Sequence, residues 1–452
     1  MEAENYLAGG YGIRLAMEAR KSGWSPLANF ARVWQPSRLK GIQVSPEFGT
    51  PFLAATQVFD LRPVPRKWLA LERTQSSGER FVTSGTILVT CSGSVGRATL
   101  AHKPHEGILV SHDLLRLEPK QDIWWGWLYA YLRSPQARDM MSAAQYGHII
   151  KHLETGHLDA LPVPQLRERL LLDYDERVKL LLAKRNRVYE LQRDAEELFE
   201  KAIGPVNMAE NPESGFTVKA SEMFGQRRRL EGGFYSPAAT AILKRFTDLN
   251  LSVEPLSGVT ERVWWKTRFK RVFDDEGVPY MSADELFSLN PPITKRVLVE
   301  QADNADEYFV KAGWIVMACS GQVYGLNGSV ALMTEKHERA FYSHDLIRII
   351  PSLDRIRSGY LFTALGHPKL GRPLVIRNAY GTSIPHLEPA DVTSIPIVRL
   401  DKQLEDEIAS CAEEAINLRA EADELENELA ADAEAVIDRF ISGDMRDVAI
   451  GG

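Results

Sequence analysis

Cysteine is scarce: three residues in 452, at positions 91, 319 and 411. That is too few for a disulfide framework, and no two of them make the C-x-x-C pair of a zinc site. No apolar run approaches the roughly 20 residues that a membrane-spanning helix needs. The opening string MEAENYLAGG is acidic and lacks the basic-then-apolar layout of a secretory signal. A cytoplasmic location is therefore the default expectation. No Walker string occurs, and the turns GSVG (Gly93–Gly96) and GQVYG (Gly321–Gly325) lack the Lys-Ser/Thr of a P-loop. What remains is ordinary globular composition, 44% hydrophobic and 25% charged, in a chain long enough for two or three domains with cores.

A net charge of −7 argues at first against a polyanionic partner. Its distribution argues otherwise, because the local field decides binding. Residues 1–160 carry 18 Lys and Arg against 14 Asp and Glu, and residues 204–400 carry 23 against 22. Residues 161–203 balance at 9 against 9, whereas residues 401–440 carry 3 against 14. One acidic segment near the C-terminus sets the total.

The chain also repeats itself. FVTSGTILVTCSG (Phe81–Gly93) and FVKAGWIVMACSG (Phe309–Gly321) share seven of 13 positions, 228 residues apart. GTPFLAATQVF matches GVPYMSADELF, RVWQPSRLK (Arg32–Lys40) matches RVWWKTRFK (Arg262–Lys270), SHDLLRL (Ser111–Leu117) matches SHDLIRI (Ser343–Ile349), and YGHIIKHLE matches YGTSIPHLE. The offset stays between 228 and 234. So long a period excludes a solenoid and indicates a tandem pair of whole domains.

Each copy closes on a short Pro-containing string, LPVPQL or IPIVRL, followed by a long pattern free of Pro and Gly. The first such pattern runs from about Gln165 to Ile203 and stops at Gly204-Pro205; the second runs from about Asp401 to Phe440 and stops near Gly443. In the second, Leu404, Ile408, Cys411, Ala415, Leu418, Ala422, Leu425 and Leu429 alternate steps of four and three, a coiled-coil seam. The first is less regular, with Arg185 and Gln192 in its seam. Its cations Arg177, Lys179, Lys184, Arg185 and Arg187 suit the acidic second helix. At 1.5 Å per residue each helix would be roughly 60 Å long. Pairing within the chain, antiparallel, is favoured over pairing with another chain, because the duplication supplies both helices. The expected fold is mixed α/β: a first domain (1–163), a helix (164–204), a second domain (205–398), a second helix (399–441) and a tail (442–452).

Strings with catalytic associations read as scaffold. Ser-His-Asp occurs in both copies, but adjacent residues on a strand point to opposite faces and cannot form a triad. NPPI (Asn290–Ile293) lacks the aromatic residue of an amino-methyltransferase loop and reads as a turn. Cys91 and Cys319 lie in apolar strands as packing residues. The basic-aromatic segments are more informative. RVWWKTRFKR (Arg262–Arg271) packs five cations and three aromatic residues into ten positions, and RVWQPSRLK has three cations and Trp34. Such groups neutralise phosphates and pack on sugars or bases. Arg32, Arg38, Lys40, Lys266, Arg268, Lys270 and Arg271 are the candidate DNA contacts; RPVPRK (Arg62–Lys67) and QRRR (Gln226–Arg229) are weaker ones.

In the order of these strings, twice over, the chain resembles the DNA specificity subunit of Type I restriction–modification systems. The strings that carry the resemblance are GTILVTCSGSVG and GWIVMACSGQVYG, SHDLLRLEP and SHDLIRIIP, and the ends YGHIIKHLETGHLDALPVP and YGTSIPHLEPADVTSIPIV. RRLEGGFYSP (Arg228–Pro237) looks like the opening of a recognition domain; at the start of the first copy, where GIRLAMEARKSG stands, no counterpart is evident. The resemblance implies two target-recognition domains, each reading half of a bipartite, asymmetric double-stranded DNA target. It implies that the helices set the spacing and dock two methyltransferase subunits, which hold S-adenosylmethionine, and it allows a motor–nuclease restriction subunit. It implies no catalytic residue, metal or cofactor on this chain. The alternatives are a DNA-modifying enzyme in its own right, methyltransferase or nuclease, and a protein-interaction scaffold without DNA binding.

Overall fold

The computed structural model describes residues 9–38, 40–74, 77–145, 152–206, 215–225 and 229–449. Tyr146–Lys151 of the first YGHIIKHLE string, Gln226–Arg228 of QRRR, Leu39, and the end of the tail lie outside the described residues. The chain divides into two compact units, residues 1–186 with 421–452, and residues 187–420. The division falls inside both long helices rather than at the linkers.

The first unit runs α1 (Gly9–Glu18), β1 (Trp24–Pro26), β2 (Ala31–Trp34), β3 (Gln43–Val44), β4 (Thr50–Leu53), β5 (Lys67–Leu69), β6 (Ile87–Thr90), β7 (Ala98–Leu100), β8 (Leu109–Val110) and β9 (Leu114–Pro119). Then follow α2 (Trp125–Arg133), α3 (Pro135–Ala144), α4 (Thr155–Asp159), β10 (Pro162–Pro164) and the long α5 (Glu168–Ile203). Its central sheet has the order β2-β9-β6-β7, all antiparallel. A smaller sheet, β3-β5-β4-β8, carries one parallel pair, β4 with β8.

The central strands are covered on both faces, so their sequence is continuously apolar rather than alternating. Ile87, Val89, Leu115 and Leu117 face the main core with α2 and α5. Leu88 and Leu114 face a smaller core with Leu53, Val58, Phe59 and Val110. The helical string after the sheet breaks at Ser134, whose Oγ accepts from Ala137 N at 3.2 Å and caps α3, with Pro135 at its first position.

The second unit repeats this plan. After α6 (Ala220–Gly225) come α7 (Pro237–Asp248), β11 (Ser252–Pro255), β12 (Thr260–Trp264), β13 (Phe273–Met281), α8 (Ala283–Leu286) and β14 (Arg296–Val297). They are followed by β15 (Ile315–Ala318), β16 (Val330–Leu332), β17 (Phe341–Tyr342), β18 (Leu346–Pro351), α9 (Ser358–Gly366), α10 (Arg372–Ile376), α11 (Pro389–Val392), β19 (Pro396–Arg399) and α12 (Lys402–Ser442). The central order is β12-β18-β15-β16, and β13 pairs in parallel with β17. Register agrees as well: Trp34 faces Arg116, and Trp264 faces Arg348.

Positions that would match RRLEGGFYSP in the first copy fall before Gly9, outside the described residues, but the helices that follow correspond. GIRLAMEARKSG forms α1 and the turn into β1, which pairs with β10, the last strand of its unit. In the second unit α7 leads into β11, which pairs with β19. The tails of the two helices also match: Arg20 donates to Ile441 O in the first unit and Arg245 Nε to Ile203 O at 2.8 Å in the second. Each cation satisfies a carbonyl at a helix C-terminus.

Each unit's central-sheet domain sits on a long helix through a glycine. A Cβ at Gly126 would overlap the backbone of Tyr174 and Asp175 on α5, and one at Gly359 would overlap Ala409 on α12. The neighbouring rings anchor the seat: Trp127 Nε1 donates to Pro164 O at 3.0 Å, and Tyr360 Oη to Val398 O at 2.7 Å.

Within the first unit the early turns of α5 run antiparallel to the late turns of α12. Arg177 pairs with Asp432 at 2.7 Å, Lys184 with Glu421 at 2.5 Å, and Arg185 with Glu426 at 2.7 Å. Lys179 and Arg187 turn instead to acids of their own helix, Asp175 at 2.6 Å and Glu190 at 3.5 Å. The seam irregularity at Arg185 is a buried ionic knot, since Glu426 also takes Arg133 at 3.2 Å and the Tyr129 hydroxyl. In the second unit Ala195, Phe199 and Ile203 of α5 share a core with Ile408, Ala409, Ala412 and Ile416 of α12.

Candidate nucleic-acid interface

At one end of each central sheet, four chain segments meet. In the first unit they are the residues after β2, before β9, after β6 and before β7. Antiparallel order forces all four to the same edge. The carboxylate of Asp113 organises it. Ser92 Oγ and Ser111 Oγ both donate to it at 3.0 Å, and Asp113 N donates back to Ser111 Oγ at 3.1 Å. The second unit repeats the brace, with Ser320 and Ser343 donating to Asp345 at 3.1 Å each.

Below the brace lies a buried arginine that sequence reasoning passed over. Arg116 alternates inward with Leu114 and donates to the carbonyls of Ser111 and Val110 at 2.9 and 3.0 Å, and also to Leu114 O. Arg348 donates to Leu346 O at 2.8 Å and Tyr308 O at 3.1 Å. Both are fully buried. Burial pulls each guanidinium down to about 10, aided in Arg116 by nearby Arg80, so both stay charged at neutral pH. The signal was present in the sequence, as an Arg in the middle of an otherwise apolar repeated strand.

Nucleophilic chemistry finds no geometry here. Ser92 Oγ lies between Asp113 and His152 Nδ1, 3.3 Å away, whereas a triad needs the imidazole in the middle. His112 Nε2 and His344 Nε2 stand 3.6 and 3.5 Å from their neighbouring aspartates, too far for a hydrogen bond. Burial and the adjacent aspartate push the Cys91 thiol up to about 11 and that of Cys319 up to about 12, which makes both poor nucleophiles. Among the described residues no group of His, Cys, Asp and Glu could hold a metal, and no helix is long and apolar enough to cross a membrane.

The basic segments leave the sheet at this edge, each pinned by its backbone. Arg80 Nη2 donates to Ser37 O at 2.7 Å, and in the second unit Tyr308 Oη donates to Thr267 O at 2.7 Å. Gln35 Nε2 donates to His112 O at 2.8 Å. Arg38 lies close enough to His112, and Arg268 and Arg271 to His344, to oppose protonation of those rings, which burial already disfavours.

Of the candidate contacts, Arg32, Arg38, Lys40, Arg268, Lys270 and Arg271 are exposed. The Arg32 guanidinium stands 5.3 Å over Trp34, and that of Arg271 5.8 Å over Tyr280. Lys266 differs: only 11% of its side chain is exposed, and its Nζ is tied to Glu307 at 2.7 Å, which also takes Arg262 at 2.7 Å. Those two cations hold the Glu307 carboxyl down at about 2. Arg229, the described residue of QRRR, is a brace: it pairs with Asp391 at 3.4 Å and stacks on Phe234 and Tyr380. Arg62, Arg66 and Lys67 of RPVPRK are exposed.

No family model matches the sequence, and no curated protein matches it. Among solved structures the chain is similar to the S subunit of a Type-I restriction-modification system from M. genitalium, at 14% identity, 95% of this chain, 98% of that chain and a TM-score of 0.30. It is similar to the HsdS subunit from Thermoanaerobacter tengcongensis at 14% identity, over 94% of this chain and 98% of that chain, with a TM-score of 0.26. A chain from a study of type I R-M complex assembly gives 14%, 93%, 97% and 0.28 in the same order. Scores at this level carry no argument, so the functional reading rests on the chain's own residues.

Proposed function

We propose that this chain is a DNA sequence-recognition subunit of a Type I restriction–modification complex, without catalysis of its own. Each unit reads one half of a bipartite, asymmetric target in double-stranded DNA. The helices α5 and α12 set the spacing of the half-sites and dock two methyltransferase subunits, which bring S-adenosylmethionine; the same assembly leaves room for a motor–nuclease restriction subunit. The observation that carries this reading is the twice-built sheet edge, where a basic segment is pinned by its backbone and leaves its cations outward. Phosphate contacts from Arg32, Arg38, Lys40, Arg268, Lys270 and Arg271 would fix register, with Lys266 held back by Glu307, and loops that differ between the copies would read base edges. The acidic α12 suits a protein partner, since its carboxylates would repel phosphates.

The test is co-expression with the methyltransferase subunits and mapping of methylated bases across the host genome. A bipartite motif with a fixed spacer, lost when this chain is omitted, is expected. Methylation that ignores the chain, or methylation by the isolated chain, would overturn the proposal.

A further inference from the structure

The edge of the first unit extends further than the candidate contacts reach. The central order β2-β9-β6-β7 places Gln35–Arg38, then His112–Asp113, then Ser92, then Arg97 side by side. Arg97 is fixed at this end by its backbone, donating to Thr90 Oγ1 at 2.9 Å while its carbonyl accepts from Thr90 N at 2.9 Å. The preceding Gly96 packs on the middle of α3, where a Cβ would come within 3.7 Å of Arg138 O. Arg133 and Arg138 lie close enough to Arg97 to oppose its charge, so the three guanidiniums share one neighbourhood.

Their partners are unevenly shared. Arg133 is consumed internally, donating to Ala98 O at 3.2 Å and pairing with Glu426 at 3.2 Å. Arg97 lies with its guanidinium 4.2 Å over the Phe59 ring and faces the carboxyl of Asp60. Arg138 has Asp139 beside it. Burial and the neighbouring guanidiniums lower both Arg97 and Arg138, and burial raises Asp60 to about 6, so that it stays largely ionised at neutral pH and is shared between Arg66 and Arg97. Both arginines are half-buried and keep a route to solvent.

The second unit has no such pair. Ser329 stands where Arg97 does, and Arg372 stands where Arg138 does, 234 residues on, since Gly96 packs on Met141 and its counterpart Gly328 on Val375. The arginine nearest this end, Arg372, is spent on the fold: it donates to Ser329 Oγ at 3.2 Å, Val323 O at 3.0 Å and Gly325 O at 2.7 Å.

We infer that Arg97 and Arg138 form a second phosphate-binding point of the first unit, at the far end of the row that begins with Arg38, and that the first unit grips a longer stretch of DNA backbone than the second. This rests on the reading of the chain as a DNA-binding subunit and adds to it residues of another part of the fold.

The experiment uses the full-length chain and a fluorescein-labelled duplex of about 40 base pairs of mixed sequence, titrated between about 50 and 200 mM KCl, the range where counterion release dominates. Replacing both residues, Arg97→Gln with Arg138→Gln, should lower the slope of log K against log salt by about 1 to 2, one contact each. The charge-keeping pair Arg97→Lys with Arg138→Lys should retain most of the slope. Arg446→Gln, which removes a tail arginine paired with Asp444 at 2.7 Å, should leave it unchanged. A glutamine pair with the wild-type slope overturns the inference alone. Loss of methyltransferase co-purification at unchanged slope overturns it too, and assigns the cluster to a protein contact. A wild-type chain without salt-dependent binding removes the DNA reading itself.

Discussion

At the foot of the basic segment the first unit holds the backbone with a guanidinium, Arg80, and the second holds the equivalent carbonyl with a phenol, Tyr308. At the start of the following helix turn the first unit caps with Ser134, while in the second His367 Nδ1 accepts from Leu370 N at 3.1 Å. Under the sheet edge the choice disappears: both units use a fully buried arginine, Arg116 or Arg348. The difference teaches what duplication preserves. A carbonyl that needs one donor accepts any side chain that reaches it, whereas several carbonyls converging on one buried point need the forked guanidinium.

Removing that fork tests the comparison most severely. Arg116→Met strands the carbonyls of Val110, Ser111 and Leu114, and at about 1–3 kcal/mol for each unsatisfied group the loss should reach about 3 kcal/mol or more. Arg348→Met should cost the second unit a similar amount. Hydrogen exchange over 111–119 and 343–351 reports each unit separately. Comparable loss of protection in both is expected; a tolerant unit would show that its arginine is replaceable.

Next in size are the glycine seats. Gly126→Ala and Gly359→Ala drive a methyl into a helix backbone in either unit, and overpacking of this kind costs about 1–3 kcal/mol. Faster exchange on α5 is expected from the first and on α12 from the second. An alanine tolerated at one position alone would mean that the two domains do not sit on their helices in the same way.

The sequence carried much of this and missed specific parts for physical reasons. The heptad of α12 was readable because Ile408, Ala415, Ala422 and Leu429 are buried at steps of seven. The strands TILVTCSG and WIVMACSG were readable because both faces are covered. The correspondence of α1 with α7 was missed because the two share a role and little sequence. Lys266 looked like a phosphate ligand because its partner, Glu307, is 41 residues away. Arg80 and Tyr308 stand at matched positions, each just before its FV string, but their shared task was hidden because the residues differ and only the carbonyl that they hold is common. The Arg97 group was invisible because β7 and α3 bring it together from distant positions.

Acid should separate the two units. His105 is buried neutral: its Nδ1 accepts from His102 N at 3.1 Å, and its Nε2, 3.1 Å from Val58 O, donates to it. Burial pulls it down to about 4, and burial does the same to His337 in the second unit. The folded forms resist a proton that the unfolded chain accepts near 6.5, so stability falls as pH drops from about 6.5 toward about 4 and levels off below. Each such histidine should cost about 2 kcal/mol between pH 7 and pH 5. The first unit has a second one, His102, also lowered by burial, where the second unit has Thr334. Exchange at pH 5 should therefore rise over 100–106 before it rises over the matching 332–338, and His102→Thr should narrow that gap.

The smallest expected effect tests the interchangeable donors directly. Tyr308→Phe removes only the hydroxyl that donates to Thr267 O. The ring keeps its stack on Phe341 at 4.7 Å and the Lys266 ammonium 5.3 Å from its centre, so the core should not move. One hydrogen bond is worth about 1 kcal/mol, and less where water can replace the donor, as it can at the exposed Thr267. Exchange should quicken over 265–271 alone, by a factor of about five or less, with the rest of the unit unchanged. Arg80→Met in the first unit removes the corresponding donor together with a buried charge, and it should loosen more than its own segment. If Tyr308→Phe instead released the whole second unit, the phenol would be a core determinant rather than a clamp, and the equivalence of the two clamps would fail.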